Sequence, residues 1–122
     1  MKILFSGRFD PPHPGHIITI LNLAAKYEEV VVVILDYDER DYAVAYVKKV
    51  FEDIFKTFPH SVAVKVNKTH FAKITKKEYE EFGCDLYAAG NHKVLRHLEK
   101  LGIKTIYTER SADYSASKYE RP

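Results

Sequence analysis

A single cysteine, Cys84, in 122 residues has no partner for an internal disulfide, which excludes the stapled scaffold of small secreted domains and fits a reducing compartment. Cys84 itself reads as a small buried residue rather than a reactive thiol. No stretch is long or apolar enough to cross a membrane, and no basic leader precedes a hydrophobic signal segment, so the expected setting is the cytoplasm. A dominant charge is also lacking. With 19 Lys and Arg against 17 Asp and Glu, the net charge of +2 is too small and too dispersed for a DNA-binding surface, yet it is no barrier to a polyphosphate. There is no internal repeat, low-complexity tract or linker. What is present, 46% hydrophobic residues in a chain of this length, suits one domain with one core over residues 1–122.

Strand-like and helix-like patterns alternate along that domain. Residues 2–6 read as a buried strand, after which Ile17, Ile20, Leu21 and Ala24 recur at helical spacing. Residues 30–35 form an unbroken run, mostly β-branched, with no polar alternation, the pattern of a parallel strand covered on both faces. Residues 41–58 predict a second helix through Val44, Val47, Phe51, Ile54 and Phe55, ended by Pro59. Residues 61–67 predict a strand in which Val62, Val64 and Val66 alternate with Ala63 and Lys65, leaving one face less buried. A short helix over 76–82, a strand over 85–89, a helix over 93–101 and a strand over 103–107 complete the pattern. Short connections between alternating elements imply an α/β fold, a doubly wound parallel sheet of about five strands. Such a sheet binds ligands beyond the carboxyl ends of its strands, where the strand order reverses.

The chemistry-bearing residues fall at those ends. Directly after the first strand comes Gly7-Arg8-Phe9-Asp10-Pro11-Pro12-His13-Pro14-Gly15-His16, two histidines three residues apart where a strand turns into a helix. Pro14 suits the first helical position, because its φ is already helical and its missing N–H has no intrahelical partner there. The exposed N–H groups and positive dipole end of the helix make an anion site, which Gly15 lets a phosphate approach closely. His13 and His16, projecting from one turn toward one point, can donate to oxygens that gain charge during displacement at phosphorus. Plainer readings exist: His13 as a helix cap with His16 on a solvated face, or a histidine metal pair, for which no third ligand is evident.

This order resembles the His-x-Gly-His motif of the cytidylyltransferase-like nucleotidyltransferases, which join a nucleoside triphosphate to a small phosphorylated acceptor and release pyrophosphate. Near the other end, Tyr114-Ser115-Ala116-Ser117-Lys118-Tyr119 is similar to the family's second signature, whose hydroxyl and basic residues hold the β- and γ-phosphates. The resemblance implies a Rossmann-like fold, with catalytic roles for His13, His16 and Lys118. It implies nucleotide contacts for Gly7, Arg8, Phe9, Asp10, Gly15, Gly90, Asn91, Arg110, Tyr114, Ser115, Ala116 and Ser117. Arg110 precedes the second motif by the interval found in glycerol-phosphate cytidylyltransferases, the branch this chain most resembles, and a guanidinium there can grip two phosphate oxygens. Tyr46-Val47-Lys48-Lys49 is similar to a segment of that branch in which arginine stands at Lys48. Asp36, Lys48 and His92 are the expected acceptor contacts. The solvated reading of Ser115 is a helix N-cap, and that of Lys48 is an exposed helix face.

The departures are specific. The family's Gly-x-Asp segment is here Gly90-Asn91-His92, with an amide in place of a carboxylate. A loop often rich in lysine after the second strand is here the acidic run 36–41, which would repel an anionic acceptor unless a metal or Arg40 intervened. Glu120 stands where the last signature arginine belongs, and Arg121 follows one position late. The resemblance implies in-line attack of the acceptor phosphate on the α-phosphorus with no covalent intermediate, Mg²⁺ bridging the phosphates and held mostly by nucleotide and water. No protein metal site is expected, and a homodimer is. Transfer of CMP is the favoured reading. The Gly-Arg-Phe opening also resembles adenylyltransferases acting on nicotinamide mononucleotide, pantetheine phosphate or flavin mononucleotide, and a non-catalytic nucleotide-binding module is a third reading.

Overall fold

The computed structural model describes residues 1–108. Five strands, β1 (Lys2–Gly7), β2 (Glu29–Leu35), β3 (Ser61–Asn67), β4 (Leu86–Ala89) and β5 (Thr105–Tyr107), alternate with four helices, α1 (Pro14–Lys26), α2 (Val44–Phe55), α3 (Lys76–Glu80) and α4 (His92–Lys100). All pairings are parallel and the spatial order is β3-β2-β1-β4-β5. The chain runs outward from β1 to β3, then returns to the other side of β1. The strand order therefore reverses between β1 and β4, and a crevice opens at their carboxyl ends.

The unbroken apolar run of β2 is buried on both faces, as a central parallel strand requires. Val30, Val32 and Ile34 join Ile3 and Phe5 of β1 in one cluster, with Ile20, Leu23 and Ala24 of α1 and Val47, Phe51 and Phe55 of α2. Val31, Val33 and Leu35 join Leu4 in a second cluster, with Tyr79 of α3 and Val94, Leu95 and Leu98 of α4. Helices α1 and α2 thus cover one face of the sheet and α3 and α4 the other. At the β3 edge Val62 and Val64 are only partly buried and Val66 is exposed. Among the described residues no helix is long and apolar enough to cross a membrane.

Element boundaries differ from the periodicity where a local hydrogen bond takes a residue out of the helix or strand. Helix α2 starts at Val44 rather than 41; the N–H groups of Asp41 and Tyr42, in the loop before it, donate across to the Asp10 carboxylate. Strand β5 starts at Thr105 rather than 103. Gly102, at φ +82°, turns the chain out of α4, and the Ile103 N–H closes onto the Leu98 carbonyl instead of the β4 edge. Helix α4 begins one residue early because Asn91 caps it, its Oδ1 accepting from Lys93 N–H at 3.0 Å and Val94 N–H at 3.4 Å.

Candidate active site

Helix α1 is capped by histidine. The N–H of Gly15 donates to His13 Nδ1 at 3.1 Å, and the N–H of His13 donates to His16 Nδ1 at 3.3 Å, a reciprocal capping box built from imidazoles. An imidazole nitrogen that accepts a backbone N–H carries no proton, so the neutral ring carries its proton on Nε2. The cap therefore fixes each tautomer, with the proton of the neutral ring on Nε2. The two rings lie 3.9 Å apart between centres and 30° from parallel, and both line the cavity at the β1/β4 crevice.

Behind His16 stands Phe9. Its ring meets His16 edge to face at 4.8 Å and Phe51 at 4.9 Å, and the residue is 2% exposed. Its backbone is left-handed at φ +51°, a strained state for a bulky side chain. Gly7 makes this fold-back possible, since a Cβ there would lie 3.0 Å from two atoms of the Phe9 ring. Gly7 and Phe9, expected as nucleotide contacts, thus also set the position of His16.

The loops after β1 and β2 clasp one another. Asp10 Oδ1 and Oδ2 accept the N–H groups of Tyr42 (2.7 Å) and Asp41 (3.0 Å), Arg8 Nη2 donates to the carbonyls of Tyr37 (3.1 Å) and Glu39 (2.6 Å), and Arg40 Nη2 donates to the carbonyl of Arg8 (2.7 Å). Burial works against the Asp10 carboxylate, but the two backbone N–H groups, with Arg40 and Arg8, outweigh it and hold the pKa below its ordinary value. Arg40 is tied into the same clasp through the backbone: its Nη1 and Nε donate to the carbonyls of Leu35 and Tyr42.

Of the expected nucleotide contacts within residues 1–108, Gly7, Arg8, Phe9, Asp10, Gly15, Gly90 and Asn91 line one cavity of about 420 Å³ together with His13 and His16. The expected acceptor contacts are not among the residues that line it. Asp36, just past β2, gives its N–H to the Asn67 carbonyl; Lys48 rides on α2; and His92 stacks on Tyr107 at 4.7 Å and 14°. Arg110, Tyr114, Ser115, Ala116, Ser117 and Lys118 lie outside the described residues. The cavity adds residues that the motifs did not supply: Ser6 hydrogen-bonded to Tyr87, together with Tyr37, His70, Thr19 and Thr108. Ser6 is the penultimate residue of β1, and Tyr37 and His70 follow the ends of β2 and β3, so their signal was position at a strand's carboxyl end rather than any motif.

No group of three or more His, Cys, Asp or Glu that could hold a metal occurs among the described residues. Asp10, the acid of the first motif, is committed to N–H donors and stands 4.0 Å from Arg8 Nη2. Cys84 is partly buried and its thiol is pushed up to about 11 by burial, so it is protonated at neutral pH and is not a nucleophile.

The sequence profile of the cytidylyltransferase-like family matches residues 4–121. The chain belongs to the cytidylyltransferase-like family. Nucleotidyl transfer is the activity class that this membership supports. Among solved structures, the chain resembles a bifunctional NMN adenylyltransferase/ADP ribose pyrophosphatase from Francisella tularensis, complexed with AMP and a manganese ion. The TM-score is 0.66 at 14% identity, over 97% of this chain and 39% of that one. The chain thus spans well under half of that protein, and the likeness is one of fold. No curated protein matches the chain by sequence.

Proposed function

We propose that this protein transfers the nucleoside monophosphate of a nucleoside triphosphate, CMP in the favoured reading, to a small phosphorylated acceptor and releases pyrophosphate. The observation that carries the proposal is the histidine capping box, which sets both imidazoles at the start of α1 in the lining of the crevice where the sheet reverses, with the proton of each neutral ring on Nε2. An acceptor phosphate oxygen attacks the α-phosphorus in line. The bond from that phosphorus to the bridging oxygen breaks, and its electron pair leaves with pyrophosphate. The acceptor is already an anion, so no general base is needed, and the chain's work is alignment and charge stabilisation. His13 and His16 donate to the phosphate oxygens, and the positive dipole ends of α1 and α4 add fixed partial charge. Lys118, Arg110, Ser115 and Ser117 are assigned to the β- and γ-phosphates on the strength of the second motif. Mg²⁺ bound to the triphosphate would screen its charge.

The placing of Arg110 before the second motif favours a cytidylyl donor. A fold shared with an NMN adenylyltransferase favours the adenylyl alternative. Calorimetric titration with CTP and ATP, followed by pyrophosphate release over a panel of phosphorylated acceptors, decides between them. The expected result is tighter CTP binding and release with a phosphorylated alcohol. Tighter ATP binding with release on nicotinamide mononucleotide moves the assignment to the alternative, and binding without release on any acceptor leaves a nucleotide-binding module. The working unit is proposed to be a homodimer, and sedimentation of the same samples as a single 14.1 kDa species would refute that.

A further inference from the structure

His70 belongs to neither motif, yet it lines the same cavity as His13 and His16. Its Nδ1 accepts the N–H of Ala72 at 2.9 Å, so its ring proton is on Nε2, the same i to i+2 arrangement that His13 makes with Gly15. The ring stands edge to face against Tyr37 at 4.9 Å, and the Arg8 guanidinium lies over Tyr37, 4.8 Å from its centre. Burial lowers the His70 pKa below its ordinary 6.5, helped by Lys93 and Lys73 and opposed by Asp38. At neutral pH the group is thus a neutral N–H donor with two cations and one carboxylate near it.

In-line displacement requires the two substrates to meet the α-phosphorus from opposite sides. Asn91 and the α4 start follow β4 on one side of β1, Tyr37 and His70 follow the ends of β2 and β3 on the other, and the motif residues after β1 lie between them. We propose that His70 Nε2–H holds a phosphate oxygen of the acceptor, so that this histidine, with the positive charge around it, selects an anionic phosphomonoester. This rests on the nucleotidyl-transfer reading.

Two substitutions separate donation from local structure. Asparagine places an acceptor near the Nδ1 position and can still cap Ala72, but it has no donor at the Nε2 position; glutamine reaches that position with an N–H but cannot cap Ala72. Inorganic phosphate is titrated into wild type, His70→Asn and His70→Gln, each saturated with the α,β-methylene analogue of CTP or ATP, which fills the nucleotide site without transfer. Phosphate binding is read by calorimetry and by the His70 ring resonances. The expected result is a shift of the His70 Nε2–H signal in wild type, phosphate affinity about tenfold weaker in His70→Asn, near-wild-type affinity in His70→Gln, and analogue affinity unchanged throughout. The assignment is overturned if His70→Asn binds phosphate like wild type, if His70→Gln is the variant that loses it, or if analogue and phosphate affinities fall together. Failure of both analogues to bind, with the His70 response intact, overturns the nucleotidyl-transfer reading and supports His70 as a phosphate donor.

Discussion

At the scale of single residues, the site depends on side chains that do two things at once. His13 caps the start of α1 and lines the cavity; Asn91, which replaces the family's carboxylate, caps α4 as an aspartate would while lining the same cavity. Asp10 is the sharpest case. Its folded pKa lies below the ordinary 3.8, so in the pH range just below that value the unfolded chain binds more protons than the folded one. The stabilisation from this carboxylate is complete above its unfolded pKa and is lost as pH falls through the depressed folded value. Asp10→Asn is therefore expected to flatten the acid limb of stability against pH, and also to weaken the protein at neutral pH, because one amide oxygen cannot serve both the Asp41 and Tyr42 N–H groups as the carboxylate does. Acid unfolding followed by circular dichroism reads this, and an unchanged acid limb would show that the clasp does not contribute.

At the scale of elements, the turn from β1 into α1 is the critical piece. Gly7 has to lack a Cβ for Phe9 to fold back, and Phe9 has to be there to support His16. The Phe9 ring is held by Phe5, Phe51 and His16 and cannot retreat. Gly7→Ala should consequently cost about 1–3 kcal/mol as an overpacking change, and turnover should fall by more than that instability explains. Denaturant unfolding beside steady-state turnover checks it, and wild-type values for both would contradict the packing argument. This turn was legible in the sequence because proline, glycine and two histidines at fixed spacing have few structural meanings. The unbroken apolar run of β2 was legible for the same reason, since only burial on both faces accounts for it. The true start of α2 was not legible, because the segment before it is held by a carboxylate from another loop, a contact that periodicity does not report.

At the scale of the whole molecule, topology explains what the motifs left out. Every parallel strand delivers its following segment to the same edge of the sheet, so five strand ends converge on one crevice. Readings at the ends of the first, second, fourth and fifth strands missed the third, and His70 stands just beyond it. No short pattern marks that histidine; only the path of the chain brings it beside Tyr37. Lys48 shows the converse. It sits in a segment similar to one in related enzymes, but α2 does not carry it to the described cavity wall. The central claim is that the α1 start stabilises charge developing at phosphorus. The most direct measurement is His16→Ala in a variant confirmed to be folded, with turnover and triphosphate affinity measured on the same preparation. A donor aimed at developing charge acts mainly in the transition state, so turnover should fall on the order of a hundredfold or more while triphosphate affinity changes little. Near-wild-type turnover in that variant, or a loss confined to triphosphate affinity, would contradict the account.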